Sequence, residues 1–118
     1  KVTKSEMLDI FARSKEYDLV FCAVNTKKNP LAICHCCKCC CNFLGGLAKY
    51  RYQNSVVTSN FISRIDADKC IGCGKCVKVC PVEAISGNPK EVHVIDQSLC
   101  IKCGACMEKC KFDAIFIR

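Results

Sequence analysis

The sequence has no tryptophan, only three prolines and six glycines in 118 residues, and no apolar run near the roughly 18 residues a bilayer crossing takes. No leader pattern of basic, apolar and small-residue regions opens it. A membrane span and secretion are therefore not expected, and the cytoplasm is the expected location. No glycine-rich phosphate loop and no G-x-S-x-G nucleophile turn occurs, which leaves nucleotide chemistry and cofactor-independent hydrolysis without support. The chain starts at Lys1 rather than methionine, and we expect it to be a fragment of a longer protein.

Cysteine is what the sequence has in excess, 15 of 118 residues. So high a content means either a secreted disulfide scaffold or a reduced protein full of metal ligands. A disulfide needs Cα atoms roughly 4.4 to 6.8 Å apart and facing side chains, so neighbours such as Cys36-Cys37 and Cys39-Cys40-Cys41 suit metal better. Metal binding also changes the charge. The formal +7 counts cysteine as neutral, whereas an oxidised 4Fe-4S core with four thiolates carries about two negative charges. Two such clusters lower +7 to roughly +3 and a third to roughly +1. The lysines are also scattered, so no nucleic-acid partner is expected.

The clearest internal feature is a repeat: Cys70 to Ile85 matches Cys100 to Ile115 at an offset of 30, with eight of sixteen positions identical. A duplicated unit of this size predicts pseudo-two-fold architecture. In each copy an apolar stretch precedes the cysteines (Phe61 to Ile65, Val92 to Ile95) and another follows (Ala84-Ile85, Ala114 to Ile117), all predicted as short strands. Gly74 to Val79 and Gly104 to Lys109 have room for a turn or two of helix, and Gly87-Asn88-Pro89 turns between the halves. The fold class is α+β. Upstream, Ser5 is expected to cap a helix through Tyr17 with Leu8, Phe11 and Ala12 on its apolar face, followed by a strand over Leu19 to Val24 and a loop over Asn25 to Pro30. That strand is expected to pair with Leu31 to Ile33. Phe43, Leu44 and Leu47 suggest a second helix, weakened by Gly45-Gly46, and Arg51 to Asn60 is a polar connector. The expected units are 1–60, a small cysteine-rich α/β segment, and 61–118.

Both copies carry C-x2-C-x2-C-x3-C. Three cysteines at that spacing wrap one loop around three corners of an iron-sulfur cubane, and in the two-cluster pattern the fourth cysteine of each run ligates the other cluster. The rule assigns one cluster to Cys70, Cys73, Cys76 and Cys110, and the other to Cys100, Cys103, Cys106 and Cys80. Zinc generally uses C-x2-4-C pairs separated by a longer insert, not a triplet with a trailing fourth cysteine.

These residues resemble the bacterial-type two-cluster ferredoxins over about 61–118, including Pro81 after Cys80, Gly74 and Gly104 in the loops, and Ala84-Ile85 with Ala114-Ile115 after them. The resemblance implies a ferredoxin-like fold carrying single electrons at low potential. Lys111 stands where the family usually has a second proline, which raises the potential of one cluster and makes the two unequal. The strongly acidic surface common in free ferredoxins is missing.

In the first half, Cys34, Cys37 and Cys40 repeat the C-x2-C-x2-C spacing without a fourth cysteine at Leu44. With Cys22 supplying the remote ligand they form a candidate third iron-sulfur cluster, leaving Cys36, Cys39 and Cys41 as alternative ligands. A larger or non-cubane cluster, or a zinc or copper site, also suits such crowded thiolates, and His35 is either a zinc ligand or a spectator. The run from Ile33 to Cys41, behind a helix and Leu19 to Asn25, looks like the C-terminal region of anaerobe-type dicluster iron-sulfur proteins, in which a crowded cysteine segment precedes the ferredoxin module. Phe21 stands where that family often has histidine. The expected function is electron transfer within a larger redox protein or complex, with no catalytic residue assigned. The competing classes are a redox enzyme centred on the N-terminal cysteines and a metal or redox sensor.

Overall fold

A computed structural model describes residues 2–24, 26–29, 31–52 and 56–118. Lys1, Asn25 and Pro30 of the expected loop, and residues 53–55 of the expected connector, lie outside the described residues. Helix α1 (Lys4–Glu16) begins earlier than Ser5 suggests, because Thr3 is the better cap. The Thr3 hydroxyl accepts from the Glu6 amide at 3.3 Å while the Glu6 carboxylate accepts from the Thr3 amide at 2.7 Å, a reciprocal capping box that places Ser5 inside the helix. The expected apolar face is only partly used. Leu8 is 55% exposed and Ala12 is exposed, whereas Phe11 and the buried Ser14 meet the next element.

That element is an antiparallel hairpin of β1 (Val20–Ala23) and β2 (Ile33–Cys36), with Cys22 opposite Cys34 and Val20 opposite Cys36. The pairing strand expected at Leu31 to Ile33 instead runs into the cysteine segment. Cysteine is small and apolar enough to occupy a half-buried strand, so Cys34 and Cys36 alternate with His35 as strand residues do. Phe21 and His35 share the outer face and pack on Phe11, with ring centroids 5.0 and 5.4 Å away. Ser14 donates its only hydroxyl proton to the Ile10 carbonyl at 2.8 Å, so the 2.5 Å contact with His35 Nδ1 is an imidazole N–H donating to the Ser14 oxygen.

Helix α2 (Asn42–Tyr50) forms in spite of Gly45-Gly46. Its buried Leu44 and Leu47 join one core with Val20 and Cys36, and the cysteine loop lies against the helix at Gly45, where a Cβ would sit 3.4 Å from the Lys38 carbonyl, at contact distance. The helix ends at Arg51, left-handed at φ 57°, whose guanidinium donates to the Val82 carbonyl at 3.0 Å.

The second half holds β3 (Ser63–Ile65), α3 (Lys75–Val79), β4 (Ile85–Ser86), β5 (Val94–Ile95), α4 (Ala105–Lys109) and β6 (Ile115–Ile117). Strand β3 pairs antiparallel with β6 through Ile65 and Ile115, and β4 with β5 through Ile85 and Ile95. An offset of 30 turns one pairing into the other. The same offset relates the 2.7 Å amide bonds from Asp66 to the Ala114 carbonyl and from Asp96 to the Ala84 carbonyl. It also relates the left-handed residues Glu83 and Asp113. The first strand of each copy is thus completed by the last strand of the other, and α3 packs on α4.

Of the three glycines in the cysteine loops, Gly72, Gly74 and Gly104, Gly72 is the one whose substitution the packing forbids. Its φ is +67°, and a Cβ there would run into the Glu91 amide nitrogen and lie 2.6 Å from that of Lys90, which itself donates to the Gly72 carbonyl at 3.1 Å. Backbone cannot swing aside as a side chain tip would. Gly72→Ala is expected to destabilise the protein by about 2 to 4 kcal/mol, from the strained φ and the overpacking together, as read by denaturant unfolding. The same change at Gly74, where a Cβ meets nothing within 4 Å, costs only the strain of φ +71° and is the control.

Candidate metal centres

The cysteines of the second half line two cavities. One is bordered by Cys70, Cys73, Cys76 and Cys110 together with Ile65, Ile71, Phe112 and Ile115. The other is bordered by Cys80, Cys100, Cys103 and Cys106 together with Pro81, Val82, Ile85 and Ile101. Each cavity therefore takes three cysteines from one repeat and one from the other. The loops have this shape because Gly72 and Lys102, then Gly74 and Gly104, adopt left-handed backbone at matching positions and curl each triplet inward. The short helices α3 and α4 then carry the polypeptide across, so that Cys80 and Cys110 leave them in extended backbone toward the opposite cavity.

Four thiols gathered around one apolar cavity fit an iron-sulfur cluster, which takes four thiolates and little else from the protein. Burial pushes the Cys106 thiol up to about 12 and raises those of Cys76 and Cys100. Without a metal these groups are neutral, and ligation must expel their protons. The Ala84 amide lies 3.3 Å from the Cys80 sulfur and donates to it.

The two cavities are not equivalent. Pro81 and Val82 are buried beside one, whereas Lys111 is exposed and Phe112 is 43% exposed beside the other. Sequence reasoning passed over His93, which is buried, lines the cavity of Cys110 and donates from Nδ1 to the Glu91 carbonyl at 3.0 Å. The offset of 30 places it opposite Ser63, which lines the other cavity; that alignment was the available signal.

Residues 63–117 match the sequence profile of the 4Fe-4S dicluster domain. That segment is a 4Fe-4S dicluster domain. Curated relatives of the chain include a component of the ion-translocating oxidoreductase complex of Pasteurella multocida, 53% identical over 34 residues, which is 29% of this chain and 17% of the relative. The corresponding component from Haemophilus ducreyi is 42% identical over 43 residues, 36% of this chain and 21% of the relative. The HndC component of the NADP-reducing hydrogenase of Solidesulfovibrio fructosivorans is 58% identical over 38 residues, 32% and 8% of the two lengths. The matched stretches cover about a fifth or less of these relatives.

The N-terminal segment leans on one side of the dicluster domain. Lys15 pairs with Glu108 at 2.6 Å, Asp18 with Lys109 at 2.5 Å and Lys38 with Glu83 at 3.4 Å. These exposed pairs orient more than they stabilise. Val20 and Phe21 border a further cavity together with Cys103 and Ala105. All these contacts fall on the side of the Cys80, Cys100, Cys103 and Cys106 set. Among the described residues no helix is long and apolar enough to cross a membrane.

The seven remaining cysteines fall into two neighbouring groups. Cys22, Cys34, Cys36 and Cys41 border the hairpin, while Cys37, Cys39 and Cys40 crowd together on the turn before α2, their sulfurs all within 4.8 Å of one another. Of the four thiols that spacing groups into a third site, Cys22 and Cys34 are in the first group and Cys37 and Cys40 in the second.

Proposed function

We propose that this chain is the electron-transfer part of a larger redox protein or complex. It holds one 4Fe-4S cluster on Cys70, Cys73, Cys76 and Cys110, another on Cys100, Cys103, Cys106 and Cys80, and a third iron-sulfur cluster in the cysteine-rich segment. When bound, such clusters take up and release single electrons near the low end of biological potentials. The protein's part is to bury them, set their exposure and offer one edge to a partner. The observation that carries the reading is the pair of apolar cavities, each with four cysteines drawn from both repeats.

Residues 61–118 form a ferredoxin-like module of pseudo-two-fold design, and 1–60 form a segment seated beside one of its two centres. That seat leaves the Cys110 set, with exposed Phe112 and Lys111 beside it, as the open end for a redox partner. The hydrogenase and ion-translocating complexes named for the relatives illustrate the kind of assembly such a segment serves. A soluble cytoplasmic setting and an anaerobic one suit thiols this dense, since exposed thiolates oxidise readily.

Iron, acid-labile sulfide and zinc per chain, measured on anaerobically purified protein, test the proposal. About twelve irons and twelve sulfides are expected, about eight of each would remove the third cluster, and zinc in place of the last four irons would make the N-terminal site a zinc site. A second reading, a metal or redox sensor, is favoured by the exposure of Cys39 and Cys40 and the 2.9 Å approach of the Cys37 and Cys39 sulfurs. A reversible change in the structure of the N-terminal segment on metal loss, with the dicluster domain unaltered, would favour it.

A further inference from the structure

Spacing treats Cys34 to Cys41 as one run. The hairpin divides it. Cross-strand partners in an antiparallel pair lie on the same face, and residues two apart on a strand share that face. Cys22 faces Cys34 directly, and Cys36, opposite Val20, follows on the same side. Phe21 and His35 occupy the other side and are committed to Phe11 and Ser14.

The fourth thiol comes from the helix. Cys41 is the residue that caps α2, and with Cys22 it packs against the core containing Cys36, Leu44 and Leu47. The Cys36 thiol lies against both Cys22 and Cys41. The Cys41 thiol thereby sits at the start of α2, beside the Leu44 and Phe43 amides. Two strands and a helix start, each fixed by its own backbone bonds, thus bring four thiols to one side of the hairpin, Cys36 buried, Cys22 and Cys41 half-buried and Cys34 exposed at the rim. Supporting elements of that kind hold ligand geometry better than a turn does.

The other three cysteines have a different setting. Cys37, Cys39 and Cys40 sit on the turn between β2 and α2, with 2.9 Å between the Cys37 and Cys39 sulfurs and 3.6 Å between those of Cys39 and Cys40. Cys39 and Cys40 are exposed. Cys34 is exposed as well, so it is the crowding that sets these three apart: their sulfurs lie within 4.8 Å of one another, close enough to share a single ion of their own and closer than the corners of a cubane.

We propose that the third iron-sulfur cluster is held by Cys22, Cys34, Cys36 and Cys41, and that Cys37, Cys39 and Cys40 form a separate outer thiol group that does not ligate it. The inference rests on the third-cluster reading above. It replaces two of the ligands that spacing selects.

Alanine variants are the test, because serine retains an oxygen able to ligate. The intact chain and the variants Cys36→Ala, Cys41→Ala and the triple Cys37→Ala/Cys39→Ala/Cys40→Ala are reconstituted anaerobically. Iron and sulfide are counted, and the signals of the dicluster domain are followed by electron paramagnetic resonance. The intact protein and the triple variant are expected to keep about twelve irons, and Cys36→Ala and Cys41→Ala to fall to about eight with the dicluster signals unchanged. The triple variant leaves the core intact, so it stays informative if Cys36→Ala fails to fold. An intact chain at about twelve irons with the triple variant at about eight overturns the inference alone, as does retention of about twelve in Cys41→Ala. An intact chain at about eight irons overturns the third-cluster reading and this inference with it.

Discussion

Removing iron with a strong chelator is expected to unfold residues 63–117, with loss of their amide protection and near-ultraviolet signal. The regular elements there are too short to stand alone. Strands β4 and β5 have two residues each, β3 and β6 three, and α3 and α4 five, whereas isolated helices below about 12 residues and isolated two-stranded ribbons are marginal in water. The core joins a few aliphatic residues such as Val82, Ile85, Ile95, Ile101 and Ile115 to Cys76, Cys80 and Cys106, which are themselves buried. Empty, the two cavities would leave those thiols against open space. By comparison with structural zinc, the binding energy lost is on the order of 10 kcal/mol, which exceeds the stability of most small domains.

The same step has a defined pH dependence. The Cys106 thiol, at about 12 in the metal-free fold, and those of Cys76 and Cys100, raised by burial, are protonated near neutrality. Ligation releases those protons, so each unit by which pH falls weakens binding by about 1.4 kcal/mol for every thiol that must ionise. Chelation should therefore go faster at pH 6 than at pH 8, and the midpoint of thermal unfolding of the loaded protein should drop in the same direction. A dicluster domain that keeps its amide protection after complete iron loss would show that the apolar core alone suffices.

The dicluster half was legible because its information is local and repeated. C-x2-C-x2-C-x3-C, Gly74 with Gly104, and the Ala-Ile pairs recur at a fixed offset, and the observed strands β3 to β6 fall in or beside the apolar stretches that flank them. What escaped there was asymmetric by nature. His93 and Ser63 occupy equivalent positions with different chemistry, and only packing shows that both border a cavity. The N-terminal half was harder. A cysteine-dense stretch has no hydrophobic period to distinguish a strand from a metal loop, so the sequence places the pairing strand at Leu31 to Ile33, too early, and does not reveal the alternation of Cys34, His35 and Cys36 in β2. The choice between Thr3 and Ser5 as cap turned on Glu6, which stands three residues after Thr3 and completes the capping box. The sharing of one core by Val20, Cys36, Leu44 and the dicluster residues depends on tertiary packing that no window of sequence contains.

Paired cysteine variants should show non-additivity that depends on which residues share a cavity. Cys80 borders the cavity of Cys106, and Cys110 that of Cys76, so neighbours along the sequence border different cavities. Within the dicluster domain, Cys80→Ala is expected to lower about eight irons to about four. Adding Cys106→Ala should remove nothing more, since both changes empty one site, whereas adding Cys76→Ala should remove the remaining four or so. Ligation within each run predicts the reverse: Cys76→Ala with Cys80→Ala would leave about four irons, and Cys80→Ala with Cys106→Ala none. The two patterns are opposite, and iron counts on the three variants decide between them. Crossed ligation would also tie α3 to α4 through both centres. Loss of one centre should then loosen both repeats together, visible as lowered amide protection at Ile85 and Ile115 alike, where ligation within each run would confine the damage to one.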